Sequence, residues 1–462
     1  MNRTKRLYVL LGVLMICCVL TLGVSKYEER KEKIRNSDEI IMELKSEDVT
    51  SVSWECGSGT FAFHKDETWL YDDDENFPVN EEKIGGLLEN FESLGVSFII
   101  EDAEDLSQYG LDDPLCKIKI AAGEENYEIS LGNYSEMDEE RYVSVGDGNV
   151  YLVQEDPLNA FDIELSEMIQ HDEIPKFDSV TEIEFAGSEN YKAVYKEENK
   201  VTYSEEDIYF AEEDGEEIPL DTENVDRYME VISELNLTDY VSYNVTDDEL
   251  KAYGLDKPDL DVSFKYRVSD DESGEEQEGT AVLHISRGPK EKEEDTDQEE
   301  EITAYARIGE SKIIYKISGL DYEDLMEASC SDLRHQEVIW ADFDDIIKAE
   351  ITLEDKEYEL TVKEEGKENV WYYQEKEINT DELRDALNSL SVSEFTEKVP
   401  AGKEEISLTL QIDNENQPEV RIELYRYDGN NCLAVVDGNP LLLVNRSYAV
   451  DLIEAVNAIV LN

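Results

Sequence analysis

The side chains in this chain with chemistry to offer are four histidines, six cysteines and a large excess of carboxylates. Histidine is the usual general base and metal ligand, but His64, His171, His284 and His335 lie far apart. His64 continues a strand pattern and His284 sits inside one, so the expectation is isolated strand or surface histidines and no shared site. Gly57-Ser58-Gly59 falls short of a Gly-x-Ser-x-Gly nucleophile elbow and reads as a hairpin turn. Gly146-Asp147-Gly148 reads as a turn and not as a phosphate cradle. Asp72-Asp73-Asp74-Glu75-Asn76 opens like a calcium loop, yet an EF-hand needs glycine where Phe77 stands and glutamate where Lys83 stands. Carboxylates are so numerous that a hydrolytic pair could be anywhere, and their abundance removes the information. No catalytic, cofactor-binding or metal residue is assigned, and no cofactor is expected.

The cysteines divide into Cys17 and Cys18, inside an apolar amino-terminal run, and Cys56, Cys116, Cys330 and Cys432 beyond it. None forms Cys-x-x-Cys. Cys116 and Cys432 take apolar strand positions, so buried free thiols are expected, with disulfides as the alternative and no pairing favoured. Aromatic runs such as Trp371-Tyr372-Tyr373 could stack on a sugar ring. Their recurrence at one place in a repeated pattern favours packing instead.

The elements that would position these groups follow a threefold pattern. Strands opening at Val49, Val180 and Ile346 are each followed by a second strand (Phe61 and Phe63; Tyr191 and Ala193; Tyr358, Leu360 and Val362). An aromatic strand comes next, at Trp69-Leu70-Tyr71, Tyr209-Phe210 and Trp371-Tyr372-Tyr373. The period then changes from two to 3.6. Ile84, Leu87, Leu88, Phe91 and Leu94 predict a helix, as do Val225, Tyr228, Met229, Ile232 and Leu235, and then Leu383, Leu387 and Leu390. Asn80, Asp221 or Thr222, and Thr380 stand ahead as N-caps. Tyr109-Gly110-Leu111-Asp112 and Tyr253-Gly254-Leu255-Asp256, with Pro114 and Pro258 behind them, predict a short helical turn ended by a glycine at positive φ. The third copy has Pro400-Ala401-Gly402 there. Four strands and a terminal helix close each unit, the helices near Leu158 to Met168, Tyr322 to Leu333 and Tyr448 to Val460.

The fold class expected is therefore α+β: an amino-terminal transmembrane helix, then three tandem repeats of a mixed or antiparallel sheet with packed helices. The predicted spans are a cytoplasmic tail at 1–6, a membrane helix from Leu7 to Val24, a charged spacer at 25–46, and repeats at 47–172, 177–337 and 343–462. The extra length of the second repeat is placed in two loops read as disordered, 269–279 and the acidic insertion 288–301. Arg3, Lys5 and Arg6 put the amino terminus inside and the ectodomain outside the cell membrane. Cleavage of the segment, or lipidation at Cys17 or Cys18, is the alternative. With 41 Lys and Arg against 115 Asp and Glu, the 462 residues carry a net charge of −74. A chain this acidic repels phosphate backbones, so nucleic acid is not an expected partner.

At Tyr-Gly-Leu-Asp-x-Pro, followed by strands, a Leu131-Gly132 or Arg287-Gly288 step and the closing hairpin, the chain resembles the bacterial domain-of-unknown-function 4340 family. The resemblance implies a membrane-anchored envelope protein, in a family often encoded beside ABC-transporter components related to gliding motility. The functional expectation is a non-enzymatic, extracytoplasmic accessory or scaffold protein with integral membrane partners. An extracellular glycan- or cation-binding protein is the alternative, and an uncharacterised hydrolase the third choice.

Overall fold

The computed structural model describes residues 34–462 apart from 104, 205, 214–215, 271–273, 289–301, 366–367, 397 and 462. Leu7 to Val24 and the span 289–301 thus lie outside the described residues, and so do Cys17 and Cys18. No helix among the described residues is long and apolar enough to cross a membrane.

The chain divides into two compact bodies at His171/Asp172. The first holds one repeat and the second holds two. Each repeat is built on a nine-stranded sheet, and every strand pairing is antiparallel. The class is α+β, mostly sheet with some helices. In the second repeat the order across the sheet is Glu216–Pro219, Tyr209–Glu213, Asn190–Tyr195, Ser179–Ala186, Leu260–Ser269, Glu276–Arg287, Ala304–Ile308, Ile314–Ile317 and Tyr240–Ser242. The third repeat runs in the same order, from Lys376–Glu377 at one edge to Val392–Phe395 at the other. The first shares eight of these positions, lacks the outermost strand beside Trp69–Tyr71, and gains Ile34–Asn36 at the opposite edge, where it pairs with Phe98–Ile100.

Alternation sets which face is inside. In Glu404–Ile412 the residues Ile406, Leu408, Leu410 and Ile412 are all buried, because successive strand side chains point to opposite faces. The three expected helices are Glu81–Glu92, Thr222–Ser233 and Asp381–Asn388. Asn80 caps the first through Lys83 N at 3.0 Å, and Asp221 caps the second through Glu223 N at 2.9 Å. Thr380 makes no side-chain cap bond; Asn379 Oδ1 takes the Asp381 amide instead. In the first body the buried stripe of Glu81–Glu92 meets an aromatic nucleus. Trp54 stacks on Phe63, and Phe161 lies edge-on to Trp54 and 5.7 Å from Phe91.

Four sequence expectations are corrected. The span 25–46 is not all spacer, since Ile34–Asn36 joins the sheet and Ile40–Met42 pairs with Leu94–Gly95. The span 269–279 is not all loop, because Ser269 and Glu276 to Gly279 belong to a hairpin whose register runs from Leu260↔Ile285 to Ser269↔Glu276. The strands Phe98–Ile100, Tyr240–Ser242 and Val392–Phe395 are additional to those expected; each is short and pairs with the last strand of its repeat, and Phe98–Ile100 pairs also with Ile34–Asn36. The terminal helices of the first two repeats are broken pairs, Leu158–Phe161 with Leu165–Met168 and Gly319–Met326 with Cys330–Leu333. Ser329 recaps the last of these. Only the third repeat ends in one long helix, Arg446–Val460.

Candidate functional site

The two Tyr-Gly-Leu-Asp motifs form one kind of joint. Gly110 and Gly254 adopt φ of +67° and +79°, a region L side chains avoid. Leu111 and Leu255 fold back to bond the carbonyls of Leu106 and Leu250, and both side chains are buried. The preceding tyrosines pack on corresponding closing strands, Tyr109 with its ring 5.0 Å from Tyr142 and Tyr253 4.7 Å from Tyr305. Gly132 lets the Tyr109 carbonyl approach so closely that a Cβ there would stand 2.2 Å from it. In the third repeat Gly402 has the equivalent function, with the Arg426 carbonyl 1.8 Å from where a Cβ would be. The motif is structural.

The expectation of buried free thiols fits Cys432 and is corrected at Cys56 and Cys116. Cys56 and Cys116 are joined in a disulfide, while partly exposed Cys330 and buried Cys432 belong to no disulfide. The bridge follows from register: Glu55 pairs with Lys117, which places Cys56 opposite Cys116 on the neighbouring strand. Burial and the nearby Glu405 carboxylate push the Cys432 thiol up to about 12.

The glycine turns and the acidic run form local bonds. Gly146 and Gly148 take positive φ around Asp147, whose carboxylate accepts the Asn149 amide. In the acidic run, Asp72 bonds His64 Nδ1 at 2.7 Å, Tyr71 donates to Asp73, and Asp74 accepts the Asn76 amide. His284 Nδ1 lies 2.5 Å from Asp261. Trp371 is buried in the core of its repeat, while Lys363 lies 4.4 Å over the Tyr372 ring.

His335 departs from the expectation of isolated histidines. Its Nε2 is 2.8 Å from Asp207 Oδ1, and its Nδ1 is 3.8 Å from Asp221 Oδ2. Asp207 is 1% exposed. Its Oδ2 also accepts the Thr202 hydroxyl at 2.5 Å and the Trp340 indole N–H at 3.0 Å. The imidazole lies flat on Trp340, centroids 4.3 Å apart, and Tyr203 covers the indole at 4.8 Å. Asp207 and His335 border an open groove of about 920 Å³ shared with Asp221, Trp340, Asp344 and Arg384. Arg384 is engaged by Asp344 at 2.7 Å and lies over the Phe343 ring.

This arrangement ties the connection at 196–208 to the segment carrying His335 and Trp340. A nucleophilic relay would put a hydroxyl on the imidazole, whereas the Thr202 hydroxyl is on the carboxylate. Asp207 and His335 are separated by 128 positions, and no local spacing announces the pair. The available signal was the length of the connection at 196–208, where the first repeat turns within 66–68.

Among families of known pattern, a domain of unknown function, DUF4340, matches residues 69–258. Both Tyr-Gly-Leu-Asp-x-Pro motifs fall within that span. Residues 69–258 are similar to the DUF4340 family. The DUF4340 region begins on the aromatic strand Trp69–Tyr71 and ends at Pro258, so it runs from within one repeat to within the next. No match is found among curated proteins or among solved structures.

Proposed function

We propose that the chain is a non-enzymatic, membrane-anchored extracytoplasmic scaffold whose partners are integral membrane proteins, with ABC-type envelope complexes as the first candidates. The observation that carries this reading is where the reactive side chains are engaged. His64, His284, His335, Arg141 and Asp207 each hold one element to another. Arg141, for example, bonds Asp156 through two nitrogens at 2.5 and 2.6 Å and the Gly132 carbonyl through a third. Such networks favour one defined conformation. The Cys56–Cys116 bridge supports an oxidising compartment, where disulfides persist. The charge of −74 disfavours lying on anionic lipid and favours contacts with proteins.

Crosslinking in intact cells followed by mass spectrometry tests the proposal. Integral membrane partners and a full-length chain in the membrane fraction are expected. A chain released with a new terminus near Val24 and recovering only soluble ligands would replace the scaffold with a secreted binding protein.

A further inference from the structure

We propose that residues 196–208 are a strap that locks the second and third repeats into one cooperatively unfolding pair, with the Asp207 carboxylate as its latch. The strap leaves the second repeat between Asn190–Tyr195 and Tyr209–Glu213. Tyr203, at its middle, is buried in the hydrophobic core of the third repeat. Two asparagines of the third repeat hold its backbone, Asn414 through the Tyr203 carbonyl at 3.0 Å and Asn416 through the Asn199 carbonyl at 3.1 Å.

The segment joining the repeats closes the connection from the other side. Val338 and Ile339 are buried in the third repeat, and Val338 N bonds the Leu390 carbonyl at 2.9 Å. His335 and Trp340, on the same segment, both donate to Asp207. One carboxylate of the strap thus holds both ends of the inter-repeat connection, in a setting where an unmatched donor is costly. Neighbouring repeats in tandem arrays couple through such interfaces, and their unfolding is joint only while the interface outweighs the difference in their own stabilities. The long connection occurs in the second repeat alone, which is the one whose carboxyl-terminal neighbour shares its compact body.

Hydrogen exchange of the full chain across a urea series, read by mass spectrometry, tests this. In the wild type, helices Thr222–Ser233 and Asp381–Asn388 should lose protection at the same urea concentration. Asp207→Ala and Tyr203→Ala should each split that event in two, leaving the first body unchanged. Should both variants fail to fold, Trp340→Phe keeps the stack and removes one donor; it should speed exchange of strap amides by on the order of tenfold. Separate opening of the two helices in the wild type overturns the strap. Joint opening in both truncations, or unaltered strap exchange in Trp340→Phe, overturns the latch.

Discussion

Asp72 holds the His64 imidazole in its charged form, raising its titration above the ordinary value, with Glu75 and Asp66 adding to the effect. A raised imidazole pKa means that the native state binds the proton more tightly. The pair's contribution is therefore complete below the ordinary histidine midpoint and is lost as pH rises through the shifted one. NMR titration of His64 should show the raised midpoint, and Asp72→Asn should bring it down. The thiols offer a second check. With its thiolate disfavoured by burial, Cys432 should resist alkylation in the native protein while the partly exposed Cys330 reacts first, read by peptide mass spectrometry. The disulfide offers a third. It closes a separation of 60 residues, so the double variant Cys56→Ala/Cys116→Ala should destabilise the first body by about 2–4 kcal/mol and leave the second where it was. The amphipathic strand carrying Cys116 was legible in the sequence. Its bridge was not, because pairing depends on which strands are neighbours, and that is a long-range fact.

Among the elements, the glycine joints make the sharpest demand on sequence. A Cβ on Gly254 would meet the Ser286 hydroxyl at 2.5 Å in a backbone conformation of φ +79°. Gly254→Ala should cost about 1–3 kcal/mol, read as a lower urea midpoint for the second body. Periods of two and 3.6 exposed the opening strands, the helices and the closing strands, because one-sided burial imprints itself on neighbouring residues. Strands of three residues such as Phe98–Ile100 carry too few positions to show a period. The long terminal helix of the third repeat has enough positions, and its pattern was plain. The Asp207–His335 contact had no comparable imprint, since both residues sit in connections where no period applies.

For the whole molecule, charge and division into bodies dominate. Self-repulsion at −74 opposes compaction, and salt screens it. Calorimetry should resolve separate transitions for the two bodies, and moving from low salt to about 0.15 M should raise both by roughly 2–5 °C. Threefold repetition was readable because each copy restates the same burial pattern. The grouping of two copies in one body was not, since the contacts joining them come from connections that carry no period.

The incoming chain is stitched to the first body twice, through three residue pairs at Ile34–Asn36 and again at Ile40–Met42. In mechanical terms these are two small rungs in series ahead of the buried sheet. A pull from the amino end loads the edge rung first, and its release leaves the strands that bury Trp54 and Phe63 in place. Fully extended, residues 34–42 span at most roughly 30 Å. Load entering at the amino end would thus be spent on these short pairings before it reached the core.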